Sequence, residues 1–177
     1  MPFTPYHFGP SGFIGLLCSR RLDLPVLVLA NVVVDIEVPL LSLFDLGYPA
    51  HRYAHTLLLG AGVGVLWGLL AWPLRPWLAR LMAMVHLPYV PNLRRMLLSG
   101  VLGVWLHVLI DGLYHPGVRI LWPFHDFALW RLTYLDFPRE RVKDISVLLF
   151  LAAVVLYIVR MAGRRRRSTA QEAGGDY

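Results

Sequence analysis

The sequence predicts an all-α fold, an integral membrane helical bundle of about four transmembrane helices preceded by a short N-terminal half-helix. Three observations carry this. The 177 residues are 57% hydrophobic and only 16% charged, with a mean hydropathy of +0.57, the profile of a small polytopic membrane protein. Four apolar runs approach or reach the ~20 residues that a helix needs to cross hydrocarbon. Basic residues gather at the ends of those runs, most densely at 164–167, directly after the last of them, as the positive-inside rule expects.

In chain order, residues 11–19 are apolar but too few to span, and read as a half-helix or re-entrant segment. The arginines here follow the apolar run, so the basic start of a cleavable signal is missing and His7 is expected to be retained. The first full run, 24–44, is interrupted by Asp35, Glu37 and Pro39. A proline clashes with the carbonyl four residues back, here that of Asp35, so a kink is expected beside that carboxylate. Asn31 shares the face of Asp35, whereas Glu37 lies ~200° away and joins it only if the helix breaks. Residues 56–74, 96–114 and 145–161 supply the remaining spans. Between the last two, residues 115–143 carry Trp122, Phe124, Phe127, Trp130, Tyr134 and Phe137, a density of aromatics suited to a loop at headgroup level. Residues 1–161 are thus expected to form one membrane-embedded domain, and 162–177 a disordered basic cytoplasmic tail.

Eleven basic residues fall on the side of the C-terminus and six on the other, which places the C-terminus in the cytoplasm and the protein, multi-pass, in the inner (plasma) membrane. No basic face with interleaved aromatics accompanies the arginine block, which argues against a nucleic-acid partner. Cys18 is the only cysteine, so no internal disulfide can form.

His107 and Asp111 stand four residues apart inside an apolar run, on one helix face. Ionisable groups in hydrocarbon are costly and mark sites. His51 and His55 repeat the spacing just ahead of the second run, and paired imidazoles at i, i+4 are a frequent metal chelate. Counting helix rise from the basic turns lifts His7 by up to ~20 Å and Asp35 and His107 by ~18 Å each, with Asp111 one turn higher. His51 and His55 descend to the same layer. Imidazole and carboxylate without thiolate favour a divalent metal, most of all zinc, with manganese or iron as alternatives. Six candidates exceed one tetrahedral shell, leaving one ion with supporting carboxylates or two ions. Two would suit phosphoester hydrolysis, and Arg52 between the histidines can receive a phosphate; simple interfacial placement of Arg52 is the other reading.

The segments His7-Phe8-Gly9, Asp35-Ile36-Glu37, His51-Arg52-Tyr53-Ala54-His55-Thr56, His107-Val108-Leu109-Ile110-Asp111 and the run from His115 to Phe124 resemble, in this order, the YdjM-like family of inner-membrane, metal-dependent hydrolases. The likeness covers roughly residues 2–124. It implies a multi-helix membrane protein with a His/Asp metal site and a distant similarity to zinc-dependent phospholipase C. On that basis His7, Asp35, His51, His55, His107 and Asp111 correspond to the ligands. The family often has aspartate then histidine where this chain has Glu37 and Val38. It often has glycine after the arginine and serine after Thr-His, where this chain has Tyr53, Ala54 and Thr56.

The expected function is a membrane-bound metal-dependent hydrolase that cleaves a phosphoester, such as a membrane phospholipid or another amphiphile, with a metal-activated water. Asp35, Asp111 and Arg52 are its candidate catalytic residues. The rival from another class is a metal-ion or proton transporter using the same His/Asp cluster; it requires polar groups continuing to the far side, and the second and fourth runs offer few. Haem between paired histidines is a third reading, against which the neighbouring aspartates argue for a harder metal.

Overall fold

A computed structural model describes residues 5–44, 53–129 and 139–173, and every regular element among them is helical. A 3-10 turn, Pro5–His7, leads into α1 (Phe8–Leu17), followed by α2 (Leu24–Asp35), α3 (Glu37–Leu43), α4 (Leu57–Ala71), α5 (Arg75–Met84), α6 (Leu93–Tyr114) and α7 (Arg139–Ala173). Three starts are capped by side chains that sequence rules favour at that position. Asp23 accepts from the Val26 N–H, Thr56 from Leu59 and Asn92 from Arg95.

Helix α6 is the axis of the bundle, packed on α4 and α2 and touched by α1 and α7. Half of its most apolar window is buried, against 11% for α7, which lies on the outside. The reason lies in small residues. Gly60, Gly64 and Gly68 repeat every four positions along the buried face of α4. A Cβ at Gly64 would stand 2.6 Å from the Val101 Cα, and one at Gly68 2.8 Å from the Leu97 Cα. On its other side, a Cβ at Gly103 of α6 would fall 2.5 Å from the Leu27 carbonyl of α2. Lipid gives no hydrophobic drive to pair helices, so close backbone approach of this kind, with its dispersion contacts, holds them.

The helices Leu24–Leu43 (α2 with α3), Leu93–Tyr114 and Glu140–Arg164 are each long and apolar enough to cross a membrane, and α4 with α5 makes a fourth if the bent pair counts as one. The sequence placed an apolar segment at 56–74, and α4 occupies most of it. Helix α4 stops at Ala71 after 15 residues, and the chain turns by 84° into α5. Pro73 and Pro76 punctuate the corner. Beyond it α5 is amphipathic, with Arg75 over the Trp72 ring and Arg80 over Trp77, as suits a helix lying in the interface.

Two boundaries differ further from expectation. Helix α7 continues through the basic block to Ala173, where the sequence suggested disorder from 162; arginine, alanine, glutamine and glutamate are good helix formers. The segment after α6 folds back onto the bundle. Val118 and Ile120 pack with Ala30, Val34, Val104 and Val108, and the Ile120 carbonyl accepts from the Leu57 N–H at 2.9 Å. Its aromatic tip faces outward, with Phe124 82% exposed. Trp130, Tyr134 and Phe137 lie outside the described residues.

Candidate metal centre

Five of the six ligand candidates lie in described parts of the chain, and the fold delivers them to one end of the bundle from four stretches of chain. His7 ends the 3-10 turn before α1; Asp35 ends α2; His55 occupies the turn before α4; His107 and Asp111 share a face of α6. All five are at most 4% exposed. His51 and Arg52 lie outside the described residues.

Asp35, His55, His107 and Asp111 each direct one donor atom into a common space, all four within 4.8 Å of one another. His107 Nε2 stands 3.2 Å from Asp35 Oδ1 and 3.2 Å from Asp111 Oδ2, while His55 Nε2 stands 3.6 Å from each of the same two oxygens. Four N and O donors held tetrahedrally at bonds of about 2.0–2.2 Å would be separated by about 3.3–3.6 Å, close to the four imidazole–carboxylate separations here. His107 is completely buried, and its Nε2 faces the two carboxylate oxygens without a hydrogen bond of good geometry to either, an arrangement compatible with a shared cation. The group can hold a metal ion.

His55 is set for that role by Glu37. The Glu37 Oε2 lies 2.8 Å from His55 Nδ1, and its Oε1 accepts the backbone N–H groups of Tyr53 at 2.6 Å and Ala54 at 2.9 Å. With a carboxylate as acceptor, Nδ1 carries the proton and Nε2 turns its lone pair toward Asp35 and Asp111. Glu37 follows a local interruption of the helical ladder at Ile36, whose dihedrals remain helical. Ile36 separates α2 from α3 and its N–H bonds three residues back, to Val33, while Pro39 has no N–H to give the Asp35 carbonyl. The sequence contained this signal in the proline, but assigned Glu37 no partner.

His7 lies beside the four-atom group. Its Nε2 is 3.0 Å from Asp111 Oδ1, the oxygen turned away from His55 and His107, and its ring stacks on His107 at 3.9 Å between centroids. His115 Nε2 approaches the same Oδ1 at 3.9 Å. Asp111 therefore divides its two oxygens between two sets of imidazoles. Asn31 bonds to Ser11 Oγ rather than to Asp35, and Ser11 Oγ in turn donates to the His7 carbonyl at 2.9 Å, which ties the 3-10 turn to α2. Outside the spans, burial pushes the His115 imidazole below its ordinary value, against the pull of Asp111.

Fold and cluster together define a helical membrane protein with a buried His/Asp group able to bind metal. The model of the YdjM inner membrane protein family matches residues 10–171, nearly the whole chain, and the chain belongs to that family. A comparison with curated proteins finds no match, and neither does one with solved structures.

Proposed function

We propose that this protein is a metal-dependent hydrolase that cleaves a phosphoester of a membrane lipid, using zinc held by Asp35, His55, His107 and Asp111. The observation that supports it most is His107, buried between two carboxylate oxygens at 3.2 Å and hydrogen-bonded to neither. Two imidazoles and two carboxylates suit zinc, with manganese or iron as alternatives. A zinc ion there supplies acidified water and polarisation of a phosphoryl oxygen.

The residues of the chain do the rest. Glu37 fixes the tautomer of His55 and pins the 53–55 backbone, directly after Arg52, whose guanidinium is suited to a phosphate. Asp35 or Asp111, each with one oxygen at the common space, receives the proton given up by the attacking water. His115, with 27% of its side chain exposed, passes it outward. The opposite direction is closed, since Leu27, Ala30, Val34 and Val104 are fully buried. A plugged site fits turnover of an amphiphile entering from the lipid better than ion passage. The C-terminus lies in the cytoplasm, and the cluster near the opposite face.

The test is release of phosphorylated headgroup from mixed phospholipid vesicles by the metal-loaded protein, beside an Asp35→Asn variant. Release that disappears in the variant is expected. No release from any phospholipid, with metal flux into proteoliposomes instead, would transfer the site to the transporter reading.

A further inference from the structure

At the other end of α6 a cavity of about 560 Å³ opens among the α1–α2 turn, α5, the start of α6 and α7. Arg20, Arg95, Arg160 and Arg164 line it, with Asp23 as its one acidic residue. It is distinct from the metal centre, since Arg95 and His107 are twelve residues apart on one helix, or ~18 Å.

These arginines differ from the ones that merely anchor the interface. Arg75 and Arg80 lie over tryptophan rings on α5. The four in the cavity arrive from three stretches of chain, and among the described residues none is within salt-bridge distance of a carboxylate. Two are held in place by single bonds, Arg160 to Ser19 Oγ at 3.0 Å and Arg164 to the His86 carbonyl at 3.1 Å, which leaves most of their five donors each for something else. Asp23 offsets part of that charge, attracted to Arg95 from beyond salt-bridge distance while its carboxylate caps α2 through the Val26 N–H, which leaves four guanidinium groups against one carboxylate. The rest of the wall is largely leucine, methionine and proline. Converging guanidinium groups above an apolar wall match one ligand chemistry, a phosphate carrying net negative charge, and the apolar wall favours one attached to acyl chains.

We propose that this cavity binds the phosphate of an anionic phospholipid from the adjacent leaflet, at a site separate from the metal centre and independent of what the latter catalyses. The full-length protein, delipidated in detergent, is titrated with phosphatidylglycerol or phosphatidylcholine, and bound lipid is counted by native mass spectrometry, with inorganic phosphate as competitor. Wild type is expected to retain one phosphatidylglycerol at least about tenfold more tightly than phosphatidylcholine. Arg20→Gln/Arg95→Gln, which removes two arginines with no side-chain hydrogen bond among the described residues, should lose about tenfold or more, while metal content stays unchanged. Should that variant fail to fold, Val90→Trp narrows the cavity with all four arginines in place and should also lose the lipid. Displacement by millimolar phosphate would support the same anion site with a soluble source. Equal retention of both lipids by wild type without a phosphate effect, or wild-type binding by both variants, would overturn the proposal.

Discussion

Glu37 shows how one residue can govern a site to which it contributes no atom of the shell. Its two oxygens receive three N–H groups, from Tyr53, Ala54 and His55, so it fixes both the tautomer of His55 and the backbone that carries it. Removing such a carboxylate typically weakens metal binding about 10–100-fold. Glu37→Gln is therefore expected to raise the metal dissociation constant by that range in chelator competition, with little change in helix content by circular dichroism. Unchanged affinity would mean that His55 is not a ligand. His107 and Asp111 were legible from sequence because ionisable groups are conspicuous in an apolar run. Glu37 was not, since helical periodicity turns it away from Asp35, and only the folded chain shows it meeting the opposite ring nitrogen of His55. His7 was legible as a member of the layer, but the count of helical rise could not show that it stacks on His107 and meets the other oxygen of Asp111.

At the scale of the element, two devices place the site: a helix break at Ile36 and a glycine seam between α4 and α6. Pro39→Ala restores the missing N–H. It should lengthen α2 through Ile36, carry Glu37 away from His55 and weaken metal binding without unfolding the protein; chelator competition reads the loss. The seam is sensitive to volume. A side chain at Gly64 would meet the Gly100 backbone at 2.7 Å, whereas one at Gly62 meets nothing within 4 Å. Gly64→Leu is expected to cost about 1–3 kcal/mol or more, read as a lower thermal midpoint in detergent, and Gly62→Leu almost nothing. Apolar length alone revealed the spans on α2, α6 and α7. It also located α4 within 56–74, but hydropathy registers neither the two prolines at the corner after α4 nor the amphipathic character of α5.

For the whole molecule, the arrangement is a central α6 with the His/Asp cluster at one end and arginines at the other. The proposed topology, argued from charge asymmetry, has the arginine end in the cytoplasm. A fluorescent protein fused to the C-terminus should then fluoresce in cells, and a periplasmically active phosphatase fused there should be silent; the reverse result would invert the topology and move the metal centre to the inner leaflet. The chain belongs to the YdjM inner membrane protein family over residues 10–171, and its buried four-atom cluster could hold a metal ion. The most direct measurement is the metal content of the purified protein beside that of a His107→Ala/Asp111→Ala variant, both prepared in metal-replete medium. The account predicts at least one equivalent of zinc or a similar divalent ion in the wild type and close to none in the variant. Equal content in the two, whether near zero or near one, would contradict it.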